Sequence, residues 1–447
     1  MKTIVITSFH PHISRNILAT DAFSRLKSSP DLRIVVVTAP YKVEYFMEQF
    51  GGGNVVVEGA PLYRSSQTFR GLLFKRLGIF LFNTSTARLR KRYEFYHQHK
   101  VCRYLFSRAM GVVGRSFFLR RFFRWLDLRC SPKGFFDAVL ERWKPDALFS
   151  TDLQNENDVS AVQDAERRRI PVIGMLRSWD NTTQRILRVL PEILFVGSIA
   201  LKAEVLKLYR YPESRIRVVG NPHYDRYLEG SSRSKEDLCR AFGLDPSRRL
   251  ILYAPVGDIL IKKNDIDQYV MQLLGMVDAS VLVRFPPDEA ITLTDFILPA
   301  NMALDRPGKV FKDTEFADRE IQPEDDQRLI DSIYHADLVI TGPTSICLDA
   351  ALMDRPVIAV NCYPSPRNFY DSVWSYRCDH TRKLLATGGV RYVTTKDEFF
   401  VAINEYFSNP DRDREGRARV RALWFSHADG HAGERFAGEV LNFLERS

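Results

Sequence analysis

Short apolar runs bounded by polar punctuation recur along the chain at 3–7 (TIVIT), 33–38, 54–57, 146–151, 171–176, 193–197 and 216–219. Runs that are continuously apolar, not alternating, mark strands covered on both faces, as in parallel sheets. A second series follows at 250–254, 280–284, 309–312, 337–341, 356–360 and 390–393. Helix-length segments separate most of them: 158–169, 199–209, 325–335, 345–353, 396–407 and 433–444. Strands alternating with helices predict an α/β fold with helices on both sheet faces. Two such series predict two Rossmann-like domains, 1–229 and 230–447. The polar, small-residue stretch Glu229-Gly-Ser-Ser-Arg-Ser234 suits a linker between them. A length of 447 residues suits two domains better than one.

Charge changes the picture in one place. The formal net charge is +9, but 64–130 alone carries +14, from 16 Lys/Arg against Glu94 and Asp127. The rest of the chain is therefore −5, and the same window holds 14 aromatic side chains. The basic character belongs to an Arg/Phe-rich insert at about 64–130 in the first domain. Within 115–129, Phe118, Leu119, Phe122, Trp125 and Leu126 fall on one helical arc, and Arg120, Arg121 and Arg124 on another. Such a helix suits an anionic membrane surface. Arg with aromatics also suits single-stranded nucleic acid, but no RNA-binding motif accompanies them and the remainder is acidic, so no nucleic-acid partner is expected. Packing of the Phe inward with Arg outside is the plainer alternative. The six Cys form no C-x-x-C pair, which points to a reducing cytosol. The first apolar run is too short for a signal-peptide core, and no run reaches a spanning length. The expected location is the cytoplasm, peripheral on the inner face of the cell membrane.

Neither G-x-G-x-x-G nor a Walker A motif is present. The strongest local constellation is His335-Ala-Asp-Leu-Val-Ile-Thr-Gly-Pro-Thr-Ser-Ile-Cys-Leu-Asp-Ala-Ala351, which reads as strand, tight turn and helix. Gly342 and Pro343 make the turn, and Thr344 or Ser345 is expected to cap the helix. Free N–H groups at that helix start would suit a diphosphate. Asp349, one turn on, is placed to take ribose hydroxyls. Pro255 follows one neighbouring strand, and Arg284 ends another as a phosphate clamp, unless it pairs with a nearby acid. In the first domain, His10 and His12 follow the first strand and Asp180 follows a later one. All three are candidate bases for a deprotonation step, with an ordinary loop contact or a helix cap as the alternative. Asp152 and His223 are weaker candidates. Asp265-Ile-Asp267 resembles a metal-binding D-x-D but stands at a helix start, where capping explains it.

The segment 333–360 resembles the donor-domain motif of GT-B glycosyltransferases, in the branch related to CDP-glycerol glycerophosphotransferases and bacterial surface-polysaccharide transferases. Arg177-Ser-Trp-Asp-Asn-Thr-Thr183, Val218-Val-Gly-Asn-Pro-His-Tyr-Asp225, Leu252-Tyr-Ala-Pro255, 384–393 and Asp429-Gly-His-Ala-Gly-Glu-Arg435 agree with it in order. The resemblance covers about 140–447. It implies a GT-B fold, two Rossmann-like domains facing across a cleft, with the nucleotide donor on the second domain and the acceptor on the first. It implies donor contacts from Gly342, Pro343, Thr344, Ser345 and Asp349, with Pro255 and Arg284 nearby, and neither metal nor cofactor. Two departures stand out. Phe285-Pro286-Pro287 replaces a frequent His-Pro pair, and Gly342-Pro343-Thr344 replaces a frequent Ala-Ser-Thr. The expected activity is transfer of a sugar from a nucleotide-sugar donor to a lipid-linked or other glycan acceptor. Transfer of a polyol phosphate from a CDP-linked donor, and non-catalytic nucleotide or glycan binding, are the alternatives.

Overall fold

The computed structural model describes residues 1–287, 290–311 and 318–446. It divides into two compact units, Met1–Asp225 with Ser426–Ser447, and Arg226–Phe425.

The first unit is built on seven strands: β1 (Lys2–Thr7), β2 (Leu32–Thr38), β3 (Val55–Gly59), β4 (Ala147–Ser150), β5 (Val172–Met175), β6 (Ile193–Val196) and β7 (Ile216–Val218). All pair in parallel, in the order β3-β2-β1-β4-β5-β6-β7. Their central residues are almost fully buried, as the continuous apolar runs require. The chain grows outward from β1 to β3, then returns to the other side of β1 with β4. The loops after β1 and β4 therefore diverge, leaving the crevice in which doubly wound sheets bind ligands.

Between β3 and β4 the basic insert forms four helices, Phe69–Phe80, Ser85–Gln98, Val101–Val113 and Phe117–Cys130. Its inner side chains, among them Phe74, Phe82 and Phe123, join the core of the first unit. Lys91 is buried and its ammonium donates to the carbonyls of Phe80 (2.6 Å), Phe82 (3.0 Å) and Ser107 (3.0 Å). A cation thus satisfies carbonyls at the end of the first insert helix, where the helix dipole favours it.

The second unit holds β8 (Leu250–Ala254), β9 (Ser280–Arg284), β10 (Met302–Asp305), β11 (Lys309–Val310), β12 (Arg319–Glu320), β13 (Leu338–Thr341), β14 (Val357–Val360) and β15 (Arg391–Val393). Six of these form a second parallel sheet in the order β10-β9-β8-β13-β14-β15, while β11 and β12 form a separate antiparallel ribbon. Its switch point lies between β8 and β13.

Three expectations change. The run at 309–312 is not a sheet strand: Lys309–Val310 pairs only with β12, and residue 312 lies outside the described residues. The sheet's edge strand is instead Met302–Asp305, paired with β9. The stretch 229–234 is not a free linker, because Asp331 accepts from the Ser232 amide (2.8 Å) and the Ser231 hydroxyl (2.9 Å). The tail from Ser426 groups with the first unit, although it lies at the far end of the chain. Phe436 is fully buried against Phe149 of β4 and Phe195 of β6, with ring centroids 5.2 and 5.3 Å away. Asp225 caps the start of the tail helix, accepting from the amides of Ala432 (3.2 Å) and Gly433 (2.8 Å). Two sequence segments that resemble the same family, 218–225 and 429–435, thereby meet.

Candidate functional site

In the second unit, the strand ends flanking the switch point carry small residues. Thr341 pairs with Ala254 across β13 and β8. Beyond them, Gly342 packs so closely that a Cβ there would lie 2.7 Å from a Val256 methyl, so no larger residue fits without displacing the β8 loop. That loop is fixed by Asp267, which is fully buried. Its carboxylate accepts from the Tyr253 hydroxyl (2.7 Å), the Val256 and Gly257 amides (2.7 and 3.0 Å) and the Asn264 side chain (2.7 Å). Burial raises the Asp267 pKa, and these four donors oppose the shift. Asp267 is thus an anchor for the loop carrying Pro255, not a cap or a metal ligand. Sequence reasoning missed this because the donors come from up to fourteen residues away.

The turn Gly342–Ser345 precedes the helix Ile346–Leu352. Pro255, Gly342 and Pro343 are buried, while Thr344 and Ser345 are part-exposed. The expected side-chain cap is not formed: Ser345 makes no cap bond, and the Thr344 hydroxyl pairs with that of Thr341 (2.9 Å). Two other expected donor contacts are corrected. Arg284 is buried, bonded to the Asp305 carboxylate and, at 2.7 Å, to the Asp325 carbonyl. Its charge is spent bracing β9 against β10 and the helix Pro323–His335, and burial lowers its pKa despite Asp305. Asp349 is 1 % exposed, on the inward face of its helix, and does not present a carboxylate to a ribose at the surface.

In the first unit, the candidate bases and Asp152 come from the carboxyl ends of three adjacent strands: His10 and His12 after β1, Asp152 after β4, Asp180 after β5. The two imidazoles are edge to face, with centroids 5.0 Å apart, and His10 Nδ1 accepts the His12 amide at 3.2 Å. Asp152 is buried and ion-paired with Arg177 (2.9 Å). Asp180 stands at a helix start without capping it, and accepts from the Gln184 side chain instead. His223 is 4 % exposed beside the Tyr224 ring.

One further carboxyl group was not anticipated. Asp158, on the helix Glu156–Arg167, lies fully buried directly beneath this edge. Its Oδ1 accepts from the hydroxyls of Thr7 (2.5 Å) and Ser150 (3.0 Å) and from the Asp152 amide (3.2 Å). Burial, then the neighbouring Asp152 charge, pushes its pKa up to about 7. An acidic residue in the first turn of a helix is ordinary on sequence grounds, so nothing local marked it.

Two units, each built on a parallel sheet with a switch point, define a class of architecture: the GT-B type. A family model described as CDP-Glycerol:Poly(glycerophosphate) glycerophosphotransferase matches residues 191–442, and the chain belongs to that family. That span contains the whole second unit; His10, His12, Asp180 and the basic insert lie outside it. Among curated proteins, the chain is 27% identical over 312 residues to the lipid-A-disaccharide synthase of Geobacter metallireducens, covering 67% of this chain and 76% of that protein. Among solved structures, it resembles the UDP-GlcNAc 2-epimerase of Neisseria meningitidis bound to UDP-GlcNAc (TM-score 0.56, 12% identity, 99% of this chain and 100% of that one). It also resembles the wall teichoic acid polymerase TagF (TM-score 0.50, 11% identity, 100% and 89%) and the calicheamicin glycosyltransferase CalG4 (TM-score 0.51, 13% identity, 100% and 99%). At these identities the three structures establish the fold.

Proposed function

We propose that this chain transfers a sugar from a nucleotide-sugar donor to a lipid-linked surface polysaccharide, without a metal, at the inner face of the cell membrane. The observation that carries this reading is the close-packed Gly342 turn at the switch point of the second unit, where the amides of Ser345 and Ile346 at the helix start and the Ser345 hydroxyl would receive the donor diphosphate, the Thr344 amide being held by the Gly342 carbonyl (2.9 Å). His10 or His12 would take the acceptor proton as the glycosidic bond forms, with the nucleotide leaving as the diphosphate; Asp180, occupied by Gln184, is the weaker base. The likeness to lipid-A-disaccharide synthase supports a lipid-linked sugar acceptor.

The family model favours a second reading, transfer of a polyol phosphate from a CDP-linked donor. Phe285 in place of the branch's frequent His counts against it; its ring is buried under Arg306, whose guanidinium lies 4.2 Å from the ring centroid. A panel of UDP-, GDP-, CDP-, CMP- and dTDP-linked donors, scored by thermal stabilisation and donor consumption, separates the two. The sugar reading expects turnover of a nucleotide sugar, unchanged by EDTA, and a weakened nucleotide effect in Ser345→Ala and Gly342→Ala. Consumption of CDP-glycerol alone would replace it with the second reading, and consumption of none would leave a binding protein.

The membrane location draws support from the helix Phe117–Cys130, which is inside out. It buries Arg120, Phe123 and Asp127, and exposes Phe118 (76%), Phe122 (48%) and Trp125 (48%). Arg120 and Arg124 turn inward to the carbonyls of Leu208 (2.7 Å) and Leu187 (2.8 Å), and Asp127 is held by a two-pronged ion pair with Arg188. Arg121 and Arg129 remain on the outer face, the latter 4.9 Å from the Trp125 ring. An apolar arc rimmed with Arg fits the headgroup boundary of an anionic bilayer. Among the described residues, no helix is long and apolar enough to cross a membrane. Flotation with anionic vesicles should carry the protein, and F118S/F122S/W125S should abolish this; equal recovery with neutral vesicles, or none with either, would refute the assignment.

A further inference from the structure

The insert helix Val101–Val113 is attached to the fold by its small residues. Ser107 is buried, and its carbonyl accepts from the Lys91 ammonium (3.0 Å). Gly111 is buried over the same ammonium, and a Cβ there would lie 3.1 Å from Nζ. At Gly114, just past the helix, a Cβ would run into the Leu81 carbonyl. The bulky side chains point the other way. Val101, Leu105, Phe106, Val112 and Val113 are 41% to 60% exposed. Val101, Leu105, Ala109 and Val112 follow one another along a single face at helical spacing. Arg108 is the one charged residue exposed on this helix, since Arg103 is turned back to Glu94 (2.9 Å). Helices of globular proteins cover their apolar face, so a continuous uncovered one marks a contact surface.

Charge decides what covers it. Residues 95–126 hold seven Lys/Arg and no Asp or Glu. A second copy would set the same seven cations against these, whereas an anionic surface neutralises them. Lys100 and Arg115, both exposed, stand at the two ends of the helix, where long cationic side chains reach headgroups while the apolar face goes beneath them. With 13 residues the helix is about 20 Å long, too short for a hydrocarbon core of about 30 Å, so it would lie in the plane of the bilayer.

We propose that the helix Val101–Val113 enters the acyl layer of an anionic bilayer, with Leu105, Phe106 and Val112 beneath the headgroups. This rests on the membrane assignment above and goes further. The helix Phe117–Cys130 docks through an apolar arc rimmed by arginines, at headgroup depth. The helix Val101–Val113 then holds the protein by buried apolar surface, and that hold persists when charge is screened.

Depth and salt dependence test it on the full chain. Cys102 is exposed at the start of this helix, and the other five cysteines are buried or half-buried. In a Cys130→Ser background it takes a fluorophore, and the protein is mixed with vesicles of phosphatidylglycerol and phosphatidylcholine. Nitroxides on the acyl chains should quench the label more strongly than nitroxides on the headgroups. Leu105→Ser with Val112→Ser alters only exposed side chains, so an unchanged thermal midpoint is expected and certifies the fold. This variant should still float at low salt, because the helix Phe117–Cys130 is intact. In about 1 M salt, where the Debye length is about 3 Å, it should partition about tenfold more weakly than the parent. Quenching from the headgroups alone, or equal partition of variant and parent in salt, would overturn the insertion and leave the membrane assignment standing. A parent that binds no vesicles would overturn both. A label already shielded in solution and uncovered on dilution would place a second copy on this face and overturn the insertion as well.

Discussion

Asp158 and Arg284 show how much a single side chain's role depends on partners distant in sequence. The Asp158 carboxyl is pushed up to about 7, first by burial and then by Asp152. An unfolded chain holds the same carboxyl near 3.9. The folded state therefore binds the proton more tightly, and the stability this contributes is present below about pH 4 and lost as pH rises through about 7. Asp158→Asn keeps an oxygen for Thr7, Ser150 and the Asp152 amide but has no proton to lose. Relative to the parent it should gain stability between pH 5 and 8, by up to about 3 kcal/mol. Urea unfolding of both proteins at the two pH values measures this; a difference that does not change with pH would show that Asp158 stays charged in the fold. Glu166, also raised to about 7 by burial, shifts both proteins alike. The Gly342 turn was legible from sequence, since a Gly-Pro between an apolar run and a helix has few other meanings. The fates of Arg284 and Asp349 were not. Arg284 finds Asp305 and the Asp325 carbonyl, 21 and 41 residues away, and no local pattern encodes such partners.

Among the elements, the strands of the first unit follow the apolar runs closely, because a strand buried on both faces has nothing else to be. The second sheet's edge strand escaped notice, since Met302-Ala-Leu-Asp305 is only four residues long and has no β-branched or aromatic side chain, whereas the run at 309–312 carries Val310 and Phe311. The insert illustrates a deeper limit. Periodicity separated the two arcs of the helix Phe117–Cys130, but it does not say which arc is covered. Here Arg120 and Arg124 of the polar arc are covered, while Arg121 stays outside, because carbonyls at Leu208 and Leu187 and the neighbouring Asp127–Arg188 pair satisfy the inner face. Lys91 gives the insert the same kind of interior cation. Burial lowers its pKa to about 8, yet three carbonyls hold the ammonium. Lys91→Met preserves much of the side chain's bulk and strands those carbonyls. It should cost about 1–3 kcal/mol, read as a lower urea midpoint; a neutral result would mean that water replaces the ammonium without loss.

For the whole molecule, the order of the chain and the order of the fold part company at the end. Two Rossmann-like units were legible from two alternating series, and the seam expected after 229 falls close to the division at Asp225. The tail was assigned by adjacency to the second domain, yet its helix Ala432–Arg446 belongs to the first unit's core. Nothing in an amphipathic helix names the sheet it will cover. Phe436, fully buried between Phe149 and Phe195, makes the consequence measurable. Phe436→Ala leaves a cavity beneath β4 and β6, and losses of about 3–5 kcal/mol are typical for such a truncation. The loss should be confined to one sheet, because stability differs between cooperative units. Hydrogen exchange resolved by peptide should therefore show faster exchange in β1, β4 and β6, while β8, β13 and β14 keep their protection. The opposite pattern, with protection lost around Thr341 and Ala254, would return the tail to the second unit and overturn the division described here.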